Sequence, residues 1–161
     1  MEMKRLTQRA AGSSRILLLD LVWTFATRPG SGRRGNYAKV ITETETYRLA
    51  LLRRIQADGF FVVMLTARST RYQDVTLENI RRHTAGWQPD VAIFNELEIP
   101  PPAWKGIALH RYVFPEFGPE RSRYFALESN RETTRLVYKH EGIAVETWET
   151  YLSGDDQSPM N

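Results

Sequence analysis

The chain has 161 residues and a formal net charge of +3, and 42% of its residues are hydrophobic, which is enough for one globular domain with a substantial core. It contains no cysteine, so disulfides and thiolate metal sites are excluded, and its three histidines are too dispersed in the sequence to suggest a zinc site. We therefore expect any bound metal to have oxygen ligands.

The N-terminal segment is polar and lacks the apolar stretch of a secretion signal. No later apolar run approaches the ~20 residues that span a bilayer. We expect residues 1–14 to form a flexible segment and the protein to be cytoplasmic, without membrane contact. The sequence does not specify an oligomeric state.

The first half of the chain alternates between two periodicities. Ile16–Leu19 is a short apolar run, typical of a parallel strand that is buried on both faces. Residues 26–44 are rich in Gly, Arg and Thr and predict a loop or small flap. Glu45–Asp58 has apolar residues at helical spacing and predicts a helix that ends at Gly59. Phe60–Arg68 predicts a second buried strand.

The rest of the chain continues this alternation. Its predicted elements are a helix over Asp74–Thr84, a strand over Pro89–Phe94, a helix or irregular turn over Lys105–Val113, a loop over Pro115–Arg121, a strand over Arg123–Leu127, a helix over Arg131–Glu141 and a strand over Ile143–Val145. Strands that alternate with helices predict an α/β fold: a three-layer α/β/α, Rossmann-like parallel sheet of about five strands. We expect this domain to span residues 15–150, followed by a flexible tail over 151–161.

The predicted flap carries a cluster of positive charge. Arg28, Arg33, Arg34 and Lys39 follow one another with no acid between them, and the sequence pI is about 9.3. Two interpretations stay open. The cluster binds a phosphate-rich partner, or it is a solvated loop whose arginines serve solubility.

Polar side chains follow the predicted strands at the end where such sheets bind ligands. Asp20 follows the first strand, Thr66 and Arg68 end the second, and Glu128 follows the fourth. Asp20 and Glu128 could share one hard cation such as magnesium, and Thr66 could donate a hydrogen bond to a phosphate oxygen. Glu128 could instead form an ion pair with an arginine such as Arg131.

These residues resemble the motifs of the haloacid dehalogenase (HAD) superfamily, with a minimal cap. That family has an apolar strand ending in Asp-x-Asp-x-Thr, a second strand ending in Thr or Ser, a lysine before the fourth strand and an acidic pair after it. The matching stretches are LLLDLVWTF, VVMLTAR, PPAWKG and FALESN, in that order over about residues 15–148.

The resemblance implies a role for each matching residue. Asp20 would be the nucleophile that forms an aspartyl-phosphate, and Thr66 and Lys105 would hold the transferred phosphoryl group. Asp20, Glu128 and the backbone carbonyl of Val22 would bind Mg²⁺ as the cofactor. Thr24 matches the motif threonine, and we place it among the substrate-binding candidates.

Two positions depart from the family pattern. Val22 replaces the second Asp, which protonates the leaving group and activates water, and Ser129 replaces the second acid of the later pair. Three interpretations stay open: a phosphohydrolase whose substrate has a good leaving group or whose acid comes from Glu43, Glu45 or Glu96; an enzyme with different HAD chemistry; or a binding or regulatory protein with little or no turnover.

The substrate class depends on a looser similarity. No predicted insertion is long enough for a large cap, and the stretches TAR, WKGIAL and ALESNRETTRLVYKHEGI resemble the phosphatase domain of polynucleotide kinase-phosphatases. This similarity implies a phosphorylated substrate such as a nucleotide or a nucleic-acid end. The substrate-binding candidates are Arg68, Arg33, Arg34 and Trp23, whose ring either stacks on a base or fills the core.

Overall fold

The computed structural model describes residues 15–27 and 36–154, and it contains a five-stranded sheet in the order β3-β2-β1-β4-β5. Every neighbouring pair of strands is parallel. The strands are β1 (Ile16–Leu19), β2 (Phe61–Ser69), β3 (Val91–Asn95), β4 (Tyr124–Leu127) and β5 (Ala144–Glu146). The predicted parallel α/β sheet is confirmed.

Helices connect the strands. They are α1 (Tyr37–Thr44), α2 (Leu49–Ala57), α3 (Gln73–His83), α4 (Pro101–Ala108), α5 (Phe114–Phe117), α6 (Arg131–Thr133) and α7 (Trp148–Ser153), with 3₁₀ turns at Thr70–Tyr72 and Arg121–Arg123. Two π-helical segments, Leu109–Val113 and Thr134–Lys139, extend α4 and α6. Within the described residues, no helix has the length and apolar character needed to cross a membrane.

The sheet is the middle of three layers because both of its faces are apolar. In β1, Ile16 and Leu18 pack into the core cluster that includes Trp104 of α4, whereas Leu17 and Leu19 pack into the cluster on the other face. All four strand residues are fully buried. This explains why β1 is a continuous apolar run rather than an alternating one.

Helix α1 lies where the sequence predicted a loop or flap. The side chain of Asn36 accepts a hydrogen bond from the backbone N–H of Lys39 and so caps the helix, and Ile41 is fully buried. Asn79 of α3 donates to the backbone oxygen of Ile41 at 3.1 Å. Tertiary contacts therefore stabilise a helix that its Thr-rich sequence does not indicate.

Three further boundaries differ from the predictions. Helix α4 begins earlier than expected, at Pro101, because proline is well suited to the first turn of a helix. Phe114–Phe117 is helical although Pro115 suggested a loop, and α7 continues to Ser153, into the predicted tail. The predicted flexible segment 1–14 lies outside the described residues, as does the tail beyond residue 154.

Candidate active site

A cavity of about 330 Å³ lies at the carboxyl end of the sheet, beside α4. The structure brings together here the four side chains that the sequence analysis selected: Asp20, Thr66, Lys105 and Glu128. Thr66 lies within β2 rather than at its end, at an irregularity in the pairing of β2 with β3. The remaining lining residues are Val22, Trp23, Ala67, Pro101, Ser129 and Asn130.

Lys105 joins the two acids of the site. Its Nζ lies 2.7 Å from Asp20 Oδ1 and 2.6 Å from Glu128 Oε1. The Lys105 side chain is 1% exposed and that of Asp20 is 8% exposed, so the ion pairs are shielded from bulk water while Asp20 still borders the cavity. Glu128 pairs with Lys105 and not with Arg131 as the alternative proposed.

The charges of this cluster depend on one another. Burial raises the pKa of Asp20, but the ammonium of Lys105 and hydrogen bonds outweigh burial and hold that pKa below its usual value. Burial likewise opposes the charge of Lys105, but the two carboxylates keep its pKa above the ordinary value. Burial raises the pKa of Glu128 to about 8, Lys105 opposes this rise, and Asp20 adds to it. Asp20 is therefore the ionised carboxylate of the pair at neutral pH.

A tight turn after β1 orients Asp20. The backbone N–H of Ala26 donates to the backbone oxygen of Leu21 at 2.8 Å, and Thr24 Oγ1 donates to Asp20 Oδ2 at 2.7 Å. Thr24 is fully buried behind the carboxylate and is not among the residues that line the cavity. The structure thus places Thr24 where it orients Asp20, and not where it was expected to contact substrate.

Two oxygens beside Asp20, the hydroxyl of Ser129 and the backbone oxygen of Val22, are suitable ligands for magnesium. Ser129 Oγ lies 3.3 Å from Asp20 Oδ2 and 3.2 Å from the backbone oxygen of Val22. Glu128 is close by, but its two oxygens already accept hydrogen bonds from Lys105 and from the backbone N–H of Ser129. No group of three or more histidine or acidic side chains in the described residues forms a metal site. The oxygens present fit a Mg²⁺ ion with few protein ligands, which commonly keeps several waters and binds phosphate oxygens.

Trp23 lies in this turn at the rim of the cavity. Its side chain is 57% exposed, which excludes the core-filling alternative, and its backbone φ is 64°. A bulky residue rarely adopts this left-handed conformation.

Arg68 points away from the cavity into a buried ion pair. Its guanidinium donates to both carboxylate oxygens of Glu45, and Nη1 also donates to Thr76 Oγ1 at 3.1 Å. The Arg68 side chain is 1% exposed and that of Glu45 is not exposed at all. Arg68 therefore connects β2 to α3 and to the C-terminal end of α1, instead of reaching a substrate in the cavity as predicted.

Replacement of Arg68 by lysine is expected to destabilise the protein by about 1–2 kcal/mol, because lysine keeps the charge but loses the two-point contact with Glu45. Urea unfolding measures this loss. Arg81 makes the same two-point contact with Glu78 on the surface, with both side chains 53% exposed. Arg81→Lys is the matched control, and we expect a change within ~0.5 kcal/mol. Equal losses in the two variants would contradict the structural role of Arg68.

The acids considered as replacements for the missing second Asp lie elsewhere. Glu45 is bound to Arg68, and Glu96 bonds to Tyr112 and lines a separate cavity of about 430 Å³. Glu43 is exposed and lies 3.9 Å from Lys39. In the described part of the chain, Asp20 and Glu128 are the only carboxyl groups that line the cavity.

The positively charged cluster that the sequence analysis identified lies only partly within the described residues. Arg28, Arg33 and Arg34 lie outside the described residues, whereas Lys39 is an exposed residue of α1.

Sequence reasoning did not find the position of Ser129 between Asp20 and Val22, because nothing in the sequence shows which backbone oxygen a serine faces. Asn130 caps α6 by accepting a hydrogen bond from the backbone N–H of Thr133 at 2.9 Å, a common role of asparagine before a helix.

Comparisons with known proteins bear on the fold. No protein-family model matches the chain, and no significant match is found among curated proteins. The similar solved structures include a chain of the Pnkp1/Rnl/Hen1 complex, with a TM-score of 0.64 and 11% identity. They also include a chain of the Pnkp1/Rnl/Hen1 RNA repair complex, with a TM-score of 0.63 and 12% identity. Each alignment covers 84% of this chain but only 46% and 42% of the respective solved chains. At such low identity, the similarity establishes a shared fold.

Proposed function

We propose that this chain is a phosphohydrolase that transfers the phosphoryl group of a phosphomonoester to Asp20. The observation that supports this most is the contact of 2.7 Å between Lys105 Nζ and Asp20 Oδ1, inside a cavity that Thr66 also lines. A carboxylate can attack an anionic phosphate only where positive charge offsets their repulsion. Lys105 supplies one such charge in a site largely shielded from water.

The proposed reaction has two steps. A carboxylate oxygen of Asp20 attacks phosphorus, the bond from phosphorus to the leaving oxygen breaks, and that oxygen departs with the electron pair. Water then attacks phosphorus, the bond to Asp20 breaks, and phosphate is released. Thr66 Oγ1 already accepts a hydrogen bond from the backbone N–H of Arg68 at 3.0 Å, so its own proton is available to a phosphoryl oxygen.

The cofactor is part of the proposal. Asp20, the carbonyl of Val22 and Glu128 are the residues that would hold Mg²⁺, which when bound would supply the further positive charge needed to offset the phosphate. Lys105 would keep its contacts with the two acids and thereby hold Asp20 in its ionised form.

The substrate proposal rests on the shared fold, whereas the missing acid limits the expected rate. Val22 has no proton to give, so the sugar oxygen of a nucleotide phosphate would depart unassisted, and we expect slower turnover of such a substrate than of one with a weakly basic leaving group. The two solved structures compared above are chains of Pnkp1/Rnl/Hen1 assemblies, one of them named an RNA repair complex. We therefore propose the phosphate of a nucleotide or nucleic-acid end as the natural substrate.

A second candidate function is phosphate binding with little or no turnover. It is favoured by the side chain of Val22 in the cavity and by the positions of Glu43, Glu45 and Glu96 away from it. In this alternative, the site recognises a phosphorylated partner and does not complete the second step.

Hydrolysis of p-nitrophenyl phosphate tests the proposed function, because its leaving group needs no proton. We expect slow turnover that requires Mg²⁺, and a phosphoryl group on Asp20 that mass spectrometry detects after acid quenching. Asp20→Asn should remove both signals while the protein stays folded, since Lys105 keeps Glu128 as a partner. Asp74→Asn, at an exposed position of α3, is the control. Turnover that survives in Asp20→Asn would refute the proposal, and phosphate binding without any turnover would favour the second candidate.

A further inference from the structure

We propose that Trp23 determines the specificity of this site: its indole ring stacks on the base of a nucleoside phosphate whose phosphate group lies at Asp20. This inference rests on the proposed function, because it needs the phosphate to bind in the cavity. It adds the residue that recognises the base of that nucleotide and the way in which the base is bound.

The backbone at Trp23 is the first observation. Its φ of 64° lies in the left-handed region, where the Cβ of an L-residue approaches the following carbonyl oxygen, and glycine or asparagine would adopt this conformation more easily. A bulky aromatic residue at such a position is unfavourable for the fold. Strain of this kind concentrates at functional sites, where the side chain is needed for another purpose.

The second observation is that packing does not compensate for this strain. The Trp23 side chain is 57% exposed, the highest value among the exposed large hydrophobic residues of the described chain. By contrast, Trp104 is fully buried and donates its indole N–H to the backbone oxygen of Thr66 at 2.9 Å. Trp23 therefore contributes little to the core.

The turn also holds Trp23 in place. On one side the backbone oxygen of Val22 accepts from Ser129 Oγ at 3.2 Å, and on the other the backbone oxygen of Thr24 accepts from Arg48 Nε at 2.9 Å. A ring that is presented on an anchored turn loses little conformational freedom when a ligand stacks on it. The turn is thus preorganised for binding.

Chemistry selects the ligand class. The exposed indole of Trp23 at the rim of the cavity presents a flat apolar surface to the organic group that is esterified to the phosphate. Nucleobases stack on such rings with little dependence on base identity, whereas an alkyl or sugar phosphate has no aromatic ring to stack. We expect recognition of a nucleotide as such, without strong preference among the bases.

Affinity measurements with two phosphates test the proposal. Adenosine 5′-monophosphate and ribose 5-phosphate share the phosphate and the sugar and differ in the base. With Mg²⁺ present, calorimetric titration should show that the wild type binds the nucleotide about tenfold more tightly. The nucleotide should also quench tryptophan fluorescence, and ribose 5-phosphate should not.

Two substitutions separate stacking from folding. Trp23→Asn keeps a residue that tolerates positive φ, so its melting temperature should equal or exceed that of the wild type, while the tenfold preference and the quenching disappear. Trp23→Phe keeps an aromatic ring and should keep most of the preference. A phosphorylated single-stranded octanucleotide in the same titration distinguishes the two sources of nucleotide: tighter binding than the mononucleotide indicates a strand end, and equal binding indicates a free nucleotide.

Three results would overturn the proposal. They are equal affinity of the wild type for the two phosphates, a preference that survives Trp23→Asn, and a melting temperature of Trp23→Asn several degrees below that of the wild type, which would assign Trp23 a structural role. The proposed function stands in each of these cases as long as ribose 5-phosphate still binds. If neither phosphate binds the wild type, both proposals fail.

Discussion

Val22→Asp is expected to raise the rate of hydrolysis of alkyl phosphates by ~10²–10⁴-fold, the usual contribution of a general acid and base. Val22 lines the cavity two residues after Asp20, and its backbone oxygen is already held by Ser129. Among the described residues, only Asp20 and Glu128 contribute carboxyl groups to the cavity. An aspartate at position 22 would add a third. That group could protonate the leaving oxygen in the first step and activate water in the second.

The dependence on the leaving group makes this prediction specific. For p-nitrophenyl phosphate the first step needs no proton, so the wild type should release p-nitrophenol in an initial burst and then slow down, since Val22 cannot activate water for the second step. Val22→Asp should remove the burst, and its gain should be largest for the alkyl substrate glycerol phosphate. Val22→Asn, which matches aspartate in size but not in proton transfer, is the control. Equal gains in the two variants would show that the position acts through shape or polarity and not as an acid and base.

The arrangement of the four cavity side chains could be anticipated because it depends on topology more than on detailed packing. The apolar runs before Asp20 and through Met64 identify buried parallel strands, and such strands bring their carboxyl ends to one edge of the sheet. Helix α4 then needs only to pass this edge for Lys105 to reach the two acids. The roles of these residues in catalysis remain predictions, because the geometry is compatible with binding as well as with turnover.

The contacts that escaped prediction depend on pairing between distant segments. Arg68 looked like a substrate contact because it follows Thr66, but its partner Glu45 lies 23 residues earlier in the chain, and the packing of α1 against α3 brings the two together. The composition of residues 26–44 predicts a loop or flap, because composition shows neither the cap by Asn36 nor the burial of Ile41. The φ angle of Trp23 has no signature in a sequence read alone. Tertiary context decides each of these features, and local propensity is too weak to oppose it.

Lys105→Met is expected to destabilise the protein by about 3–5 kcal/mol at neutral pH, because it leaves the ionised Asp20 buried without its counter-charge. Methionine has nearly the length of lysine, so the change removes the ammonium and little volume. Lys139→Met, at an exposed position, is the control and should change stability by less than ~0.5 kcal/mol. Urea unfolding without divalent cations measures both variants.

The pH dependence of this loss identifies its cause. A carboxyl group whose pKa is higher in the folded state than in the unfolded state favours folding while it is protonated, and this contribution is lost as the pH rises through the folded pKa. Burial raises the pKa of Asp20, but Lys105 and hydrogen bonds hold it below its usual value in the wild type, so removal of Lys105 must raise it. Glu128, whose pKa is raised to about 8, stays protonated in both proteins below that pH. The deficit of Lys105→Met relative to the wild type should therefore be small near pH 4, where Asp20 of the variant is protonated, and grow towards neutral pH as this buried Asp20 ionises. Adding Asp20→Asn to Lys105→Met should recover much of the stability at neutral pH, since no ionised carboxylate then remains buried without its counter-charge. A deficit that is constant with pH, or no recovery in the double variant, would mean that Lys105 stabilises the protein through packing and not by neutralising Asp20.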